Sequence, residues 1–269
     1  MKTKLTEFTN SKWENLRWII SLPESEIAWW IICLSGFERS TTTEKKFKTL
    51  ADRMSEKMLA TLRFDFSGLG LSDGDFRFTT IEKQGQDLLS AIENLEKEIW
   101  NSKINIVAHS LGACVLASQI EKIKDKIGKI ILIAPALNQK ELLRYRFTTG
   151  QMKKINPTLE INWQNYQTYL NEWEFLKDCE KTGKMSKANY INSPYFLINK
   201  DIDFSSNFKD FNSQILHIHW GKDIAVPSES LNINFSNKII VENWDHDMER
   251  PDQFEKWIDK TVDFLVKNN

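Results

Sequence analysis

Short apolar runs alternate with amphipathic segments along the first half of the chain. The apolar runs are rich in β-branched and aromatic residues, which is typical of strands buried on both faces of a parallel sheet. The segments between them carry apolar residues at three-and-four spacing, which predicts helices with one buried face. Threonines at the start of the first helix are candidate N-caps. The pattern predicts strands at 27–37, 60–70, 104–109 and 129–135, and helices at 42–58, 80–100 and 111–123.

The alternation stops between about 138 and 194, where the sequence is polar and aromatic without a buried-strand run. This stretch is predicted to be helical and inserted into the sheet topology. Strands return at 213–223 and 237–247, and a closing helix at 251–266 has Pro251 in its first turn. Strands that alternate with helices predict an α/β fold: a mostly parallel central sheet with helices on both faces. We expect a single domain over 1–269.

Composition excludes several partners. Lys and Arg total 36 against 37 acidic residues, so no global charge attracts nucleic acid or an anionic membrane. No signal peptide and no apolar run of about 18 residues is present, so no membrane insertion is expected. The scattered cysteines, Cys33, Cys114 and Cys179, fit a reducing compartment and show no metal-ligand spacing. We expect a cytoplasmic protein without disulfides, metals or cofactors.

Ser110 is the first candidate for chemistry. It lies in Ala108-His109-Ser110-Leu111-Gly112, between a predicted buried strand and a predicted helix. A nucleophile elbow needs this context and small residues two positions before and after the serine, usually as G-x-S-x-G. Here alanine stands at the first of these positions. The alternative is that His109 and Ser110 only begin the helix.

A serine nucleophile needs a general base. Among the four histidines, His109 adjoins Ser110 but should point away from it, and His217 and His219 are expected to be packed or hydrogen-bonded core residues. His246 follows a predicted strand near the end of the chain, so it should emerge at the same carboxyl edge of the sheet as Ser110. We therefore predict His246 as the base.

The acid that orients the base should follow a strand between the serine and the histidine in chain order. Asp223, in "WGKDIAVP", meets that condition and is the predicted acid. Weaker candidates are Asp201, Asp203, Asp245 and Asp247. The oxyanion of the transition state needs backbone N–H donors. We expect them from Leu111, directly after the nucleophile, and from Phe37, although Gly36 before it could simply end a strand.

Five segments together resemble one family: "LSGF", "LRFDFSGLGLSDGDF", "AHSLG", "WGKDIAVP" and "DHD". Their order is similar to that in α/β-hydrolases of the serine aminopeptidase, monoglyceride lipase and cinnamoyl esterase type. The resemblance implies an α/β-hydrolase fold with residues 138–194 as a helical cap insertion, and a loop-fixing role for Asp65 and Ser72. The departures from the family pattern are Ser35 in place of a histidine, Ala108 in place of the first elbow glycine, and Trp220 in place of a glycine.

The function expected is that of a serine hydrolase, a carboxylesterase that cleaves small to medium acyl or aromatic esters through an acyl-serine intermediate. The alternatives are a thioesterase, lipase or amide hydrolase with the same residues, or a non-catalytic ligand-binding protein. The expected partner is a small-molecule ester, and homodimerisation is left open. Absence of a strong basic cluster argues against phosphorylated substrates. The insertion's aromatic residues would line an apolar pocket or form the insertion's own core: Tyr145, Phe147, Trp163, Tyr166, Tyr169, Trp173 and Phe175.

Overall fold

The computed structural model describes residues 1–99, 103–242, 246–249 and 254–267. The strands are β1 (Lys2–Thr9), β2 (Asn15–Leu22), β3 (Trp29–Leu34), β4 (Leu59–Phe64), β5 (Ile104–His109), β6 (Ile127–Ile133), β7 (Lys184–Met185), β8 (Tyr190–Ile191), β9 (Ile215–Trp220) and β10 (Asn237–Val241). The α-helices are α1 (Lys45–Ser55), α2 (Ile81–Glu96), α3 (Leu111–Ile123), α4 (Gln139–Ile155), α5 (Tyr166–Tyr169), α6 (Glu172–Cys179), α7 (Ser193–Asn199) and α8 (Phe254–Val266). The longest of the 3-10 segments is Ser205–Gln214.

Eight strands form one sheet in the order β1-β2-β4-β3-β5-β6-β9-β10. The pairs β1–β2 and β2–β4 are antiparallel, and every other neighbouring pair in the sheet is parallel. The prediction of a mostly parallel sheet is therefore confirmed. The parallel strands all end at one edge, so the loops that follow β3, β5 and β9 meet there.

Helices cover both faces of the sheet, as predicted. Successive side chains of a strand point to opposite faces, and β3 shows this clearly. Ile32 and Leu34 pack in the larger core cluster with α2 and α3, whereas Ile31 and Cys33 pack in a second cluster with α1 and α8. All of these β3 side chains are fully buried. Burial on both faces explains why the strand reads as a continuous apolar run.

Element boundaries differ from the sequence expectation in instructive places. β5 has the predicted bounds, but the other predicted strands included residues of the adjoining loops. The β1–β2 hairpin was not predicted, because β1 is almost entirely exposed and carries little apolar signal. The threonine N-cap of the first helix was wrong: Glu44 is the N-cap and makes no side-chain capping bond. The Pro251 expectation lies outside the described residues.

Residues 138–194, here called the cap segment, are mainly helical. The segment contains α4, α5 and α6, and α7 begins at its end. Contrary to expectation it also contains a two-stranded antiparallel pair, in which Lys184 pairs with Ile191 and Met185 with Tyr190. These strands are too short to give an alternating pattern in the sequence. An isolated β-bridge pairs Asn138, at the start of the cap segment, with Asp203, which follows it in the chain.

Candidate active site

Ser110 lies on the turn between β5 and α3, with φ of 53° and ψ of −115°. A positive φ in a residue with a side chain costs about 1–3 kcal/mol and needs support from its surroundings. The Ser110 N–H donates to the Ile133 carbonyl oxygen at 2.9 Å. The Ser110 carbonyl accepts from the Ala113 N–H at 3.2 Å and the Ala136 N–H at 3.1 Å. Neighbouring backbone therefore holds the strained turn.

The small residues around Ser110 are needed to different extents. A Cβ at Gly112 would lie 2.7 Å from the Ser35 carbonyl oxygen and 2.9 Å from that of Leu34, so only glycine fits without a shift. Ala108 is fully buried in β5, where it pairs with Leu34 on one side and Leu132 on the other. Its methyl group points out of the sheet and lies in the larger core cluster. The departure from G-x-S-x-G is therefore tolerated at the first position.

The three residues predicted for catalysis form one hydrogen-bonded chain. The Ser110 Oγ and His246 Nε2 are 2.9 Å apart, and His246 Nδ1 is 2.6 Å from Asp223 Oδ2. A carboxylate only accepts hydrogen bonds, so the imidazole proton lies on Nδ1 and Nε2 is free to accept from the serine hydroxyl. The Asp223 side chain is fully buried, whereas that of His246 is 19% exposed. The arrangement can move a proton from Ser110 to His246.

The turn after β9 fixes the Asp223 carboxylate. Its Oδ1 accepts from the Ala225 and Val226 N–H groups, both at 2.8 Å. Its Oδ2 is thereby aimed at His246. Three of the weaker candidates have other partners: Asp247 pairs with Arg39, Asp201 pairs with Lys200, and Asp203 accepts from the Asn232 amide at 2.6 Å. Asp245 lies outside the described residues.

A pair of buried histidines holds the far end of this turn. His219 Nε2 is 2.8 Å from the Val226 carbonyl oxygen and 3.8 Å from Asp223 Oδ2. Because a carbonyl only accepts, His219 Nε2 carries a proton and its Nδ1 accepts from His217 Nε2 at 3.0 Å. Burial lowers the pKa of His217 to about 2 and also lowers that of His219. The predicted hydrogen-bonded core histidines thus support the turn that carries Asp223.

His109 has a role that the sequence did not indicate. Its Nε2 donates to the His246 carbonyl oxygen at 2.9 Å, and the two rings are 5.1 Å apart. Burial, together with the nearby charges of Lys46 and His246, lowers the pKa of His109 well below its usual range. A neutral ring with its proton on Nε2 fits this bond. His109 therefore fixes the backbone of the residue predicted as the base.

Charged residues beyond β3 anchor the same loop. Lys46 is fully buried, and its ammonium group donates to the Asp247 carbonyl oxygen at 2.9 Å and to Glu44 at 3.0 Å. The Arg39 guanidinium pairs with the Asp247 carboxylate. A buried ammonium is tolerated only when hydrogen-bond acceptors surround it. The loop that carries His246 is thus attached to the start of α1 by main-chain and side-chain contacts.

The loop after β3 approaches the nucleophile closely. A Cβ at Gly36 would lie 3.1 Å from the Ser110 Cβ and 3.2 Å from His109 Nδ1. The Ser35 hydroxyl donates to the Arg39 carbonyl oxygen at 2.9 Å, and the Arg39 N–H donates to the Gly36 carbonyl at 3.2 Å. Ser35, one of the departures from the family pattern, therefore closes this loop.

The two N–H groups predicted as oxyanion donors are those of Leu111 and Phe37. In the described part of the chain neither donates to a protein acceptor. Leu111 is the first residue of α3, where N–H groups have no partner within the helix and attract negative charge. Both donors adjoin residues that line the cavity beside Ser110.

Asp65 and Ser72 have the loop-fixing contacts that the resemblance implies. Asp65 accepts from the Thr42 hydroxyl and from the Leu71 N–H at 3.0 Å. The Ser72 hydroxyl donates to the Asp65 carbonyl at 2.6 Å and accepts from the Arg17 N–H at 2.9 Å. These contacts join the loops after β3 and β4 to β2. Neither side chain lines the cavity beside Ser110.

Two adjoining cavities lie between the sheet edge and the cap segment. The first has a volume of about 340 Å³ and is lined by Ser110, His246 and neighbouring loops. The second, of about 390 Å³, is lined mainly by α4, α6, α7 and the β7–β8 pair. Phe37, Arg146 and Ser186 line both cavities, so the two are contiguous.

The aromatic residues of the cap segment divide between the two expected roles. Phe147 and Phe175 line the second cavity, with ring centroids 5.6 Å apart. Tyr145, Trp163 and Tyr166 pack against one another, with centroids 5.2 to 5.4 Å apart. The remaining two, Tyr169 and Trp173, are exposed. The cap segment therefore has its own small aromatic cluster and contributes other rings to the cavity wall.

The sheet order and the loops that meet at its carboxyl edge define an α/β-hydrolase of the serine hydrolase group. A family model described as serine aminopeptidase, S33, matches residues 28–239. The chain belongs to this family.

Solved structures share this fold. Est1E from Butyrivibrio proteoclasticus, solved with ferulic acid bound, is similar with a TM-score of 0.74 and 19% identity, over 97% of this chain and 98% of that one. An esterase from Pyrococcus furiosus is similar with a TM-score of 0.64 and 19% identity, over 98% of this chain and 90% of that one. These likenesses show the shared fold.

A sequence relative is named as a putative esterase/lipase 3 of Mycoplasma genitalium. It is 26% identical over 186 residues, which cover 65% of this chain and 63% of that protein. The match thus spans less than two thirds of the relative's length.

None of the helices described is long and apolar enough to cross a membrane. Among the same residues, no group of three or more His, Cys, Asp or Glu side chains is arranged to hold a metal ion.

Proposed function

We propose that this protein is a carboxylesterase in which Ser110 is the nucleophile, His246 the general base and Asp223 the residue that orients the base. The observation that supports this proposal is the continuous chain of hydrogen bonds from Ser110 Oγ through both ring nitrogens of His246 to the buried Asp223 carboxylate. A base within 2.9 Å of a serine hydroxyl, with its other nitrogen held by a carboxylate, is the arrangement that activates serine.

In the first half-reaction, Ser110 Oγ attacks the ester carbonyl carbon while His246 Nε2 takes the hydroxyl proton. The Asp223 carboxylate stabilises the positive imidazolium that results. Negative charge develops on the former carbonyl oxygen, where the N–H groups of Leu111 and Phe37 would donate. Each such donor contributes about 2.7–4 kcal/mol in the transition state. The imidazolium then gives its proton to the leaving alcohol, which departs and leaves an acyl-serine.

In the second half-reaction, water takes the place of the alcohol. His246 Nε2 removes a proton from this water as its oxygen attacks the acyl carbonyl carbon. The same N–H groups hold the second oxyanion. When the tetrahedral intermediate collapses, the proton returns to Ser110 Oγ and the carboxylic acid is released. The same residues therefore serve both steps.

The proposed substrates are small to medium acyl or aromatic esters. Support comes from the contiguous cavities and from the apolar side chains of the cap segment that line the larger one. Leu143, Phe147, Phe175 and Tyr195 form much of its wall. A wall of this kind suits an aliphatic or aromatic acyl group. Est1E, which has the same fold, was solved with an aromatic acid bound.

Substitution of the nucleophile tests the proposal. Ser110→Ala should lower kcat/KM for 4-nitrophenyl butyrate by at least about a thousandfold, because no other hydroxyl of the described residues is hydrogen-bonded to His246. A fluorophosphonate probe should label the native protein at Ser110 and leave the variant unlabelled. Ser118→Ala, on the same helix and outside both cavities, is the matched control. Unchanged turnover in Ser110→Ala, or no adduct on native Ser110, would contradict the proposal.

A further inference from the structure

Positive charge collects around the two cavities, although the chain as a whole has a net charge of −1. The basic residues that line one or both cavities are Arg39, Arg146, Lys154, Lys184 and Lys187. The acidic residues that line them are Glu38, Asp178 and Asp247. The basic residues come from three separate stretches of the sequence, at 39, 146–154 and 184–187. The fold brings them together around the candidate active site.

The Glu38 carboxylate accepts hydrogen bonds from the cap segment. Its oxygens accept from the Ser186 hydroxyl at 2.6 Å and from the N–H groups of Lys187 and Asn189 at 3.2 and 2.9 Å. Although burial acts to raise the pKa of Glu38, these hydrogen bonds lower it overall. Glu38 therefore stays ionised, but its acceptor positions are used within the protein and do not face a bound molecule.

The other two acids are also paired. Asp178 contacts the ammonium groups of Lys184 and Lys181, which lower its pKa against the opposing effect of burial. Asp247 pairs with Arg39. In these ion pairs the positive charges of Lys184 and Arg39 are balanced as well. What remains is a set of basic side chains at the cavities without an acidic partner.

Arg146, Lys154 and Lys187 make up that remaining set. None of them forms an ion pair with a carboxylate of the described residues. Arg146 is distinguished by its position, because it lines both cavities. From α4 it reaches across to the turn that carries Asp223, where its Nη2 is 3.5 Å from the Ala225 carbonyl oxygen. Its guanidinium has further N–H groups available for a ligand.

Resting on the proposed esterase function, we propose that the substrates are half-esters of dicarboxylic acids, whose free carboxylate binds Arg146. A guanidinium offers paired N–H groups that match a carboxylate. The apolar walls of the larger cavity accept the carbon chain between the two carboxyl groups. The acyl part occupies the site in both half-reactions, because its bond to Ser110 forms in the first and breaks only in the second. A contact at its far end therefore aids both. An anion on the alcohol would leave with the first product.

Two esters of equal acyl length test the proposal: 4-nitrophenyl valerate, which ends in a methyl group, and mono-4-nitrophenyl glutarate, which ends in a carboxylate. The measured quantity is the ratio of kcat/KM for glutarate to that for valerate. In Arg146→Met this ratio should fall by about 10- to 100-fold, the range expected for a lost hydrogen bond to a charged group. Arg146→Lys should retain part of the preference. In native protein, about 0.5 M NaCl should reduce it.

Lys153→Met is the matched control, because Lys153 is a basic residue of the same helix that lines neither cavity. It should leave the ratio unchanged. A ratio that is the same in native protein and Arg146→Met would overturn the proposal. So would an equal loss for both esters, which would indicate that Arg146 supports the fold or the Asp223 turn.

Binding distinguishes failure of this proposal from failure of the esterase function. If native protein cleaves neither ester and takes up no fluorophosphonate, the esterase proposal fails. The anion site is then measured by calorimetric titration of Ser110→Ala with glutarate and with valerate. Tighter binding of glutarate, weakened about tenfold or more when Arg146→Met is added, supports the site. Equal binding of the two acids, or no effect of Arg146→Met, overturns it.

Discussion

The sheet edge and the cap segment form opposite walls of the same cavities, but they are held in different ways. At the sheet edge, backbone contacts fix each residue of the proposed triad: Ser110 through Ile133, Asp223 through Ala225 and Val226, and His246 through the buried His109 ring. In the cap segment, some polar contacts join side chains to one another near the surface, as between Lys181 and Asp178.

This difference indicates that the sheet edge and the cap segment tolerate substitutions to different extents. A backbone hydrogen bond in a buried turn permits one geometry, and its loss leaves a buried polar group without a partner. A partly exposed ion pair contributes little and is easily replaced. Substitutions at the sheet edge should therefore abolish the reaction, whereas those in the cap segment should change which ester is accepted.

The largest effect should come from Asp223→Asn. The asparagine oxygen can still accept from the Ala225 and Val226 N–H groups, so the turn should stay folded. Its amide group would face His246 Nδ1 and favour the wrong imidazole tautomer. We expect kcat for 4-nitrophenyl butyrate to fall by about 10⁴-fold. Asp210→Asn, at an exposed position, is the control. A loss of less than about tenfold would remove Asp223 from the proposed triad and weaken the contrast with the cap segment.

An effect of intermediate size is expected on the free energy of unfolding, where alanine substitutions of two helical glycines, Gly112 and Gly150, should differ. Gly112→Ala places a methyl group 2.7 Å from the Ser35 carbonyl oxygen and should lower the free energy of unfolding by about 1–3 kcal/mol. Gly150→Ala, in α4 of the cap segment, meets nothing within 4 Å and should raise that free energy by up to about 1 kcal/mol. Urea denaturation of both variants measures the difference. Equal destabilisation would show that the cap segment is packed as strictly as the sheet edge.

The smallest effect should appear in the pH dependence of stability. His217 is buried and neutral in the folded protein, and its pKa of about 2 lies far below that of an exposed histidine. Below about pH 6.5 the unfolded chain binds a proton at this residue that the folded chain does not. Stability should therefore fall as the pH is lowered, by up to about 1.4 kcal/mol per pH unit for each such histidine.

His217→Phe should reduce the slope of the free energy of unfolding against pH by the contribution of one histidine. Urea denaturation between pH 7 and pH 5 measures this slope. Two acids serve as the contrast: Asp178 in the cap segment, and Glu38, which is hydrogen-bonded to that segment. Glu38 and Asp178 have lowered pKa values, so their contribution is present at neutral pH and is lost only as the pH falls through those low values. Parallel slopes for native protein and His217→Phe would mean that burial does not keep this histidine neutral.

The sequence predicted those parts of the molecule that leave a local pattern. β5 and the turn after it combine a run of buried residues with a serine between small residues, so the sequence predicted both the strand and the turn that carries Ser110. The placement of Asp223 and His246 beside Ser110 was predicted because each follows a strand in the required order. β1 was missed because its pairing with β2, not its own apolar content, makes it a strand.

The contacts that support the site could not be predicted, because they join residues far apart in the chain. His109 meets His246 across 137 positions, and Lys46 meets Asp247 across 201. The periodicity of apolar residues along the sequence does not indicate such pairs. The same is true of the basic residues around the cavities, which are separate in sequence and become neighbours only when the cap segment folds over the sheet edge.

Phe37 illustrates how one residue can serve chemistry and recognition separately. Its backbone N–H is a proposed oxyanion donor, while its ring lines both cavities and packs 5.2 Å from the Tyr195 ring and 5.6 Å from that of Phe76. A codon change at this position replaces the ring but keeps the N–H. Evolution can therefore reshape the acyl site at residue 37 through ordinary point mutations without deleting a group on which the proposed reaction depends.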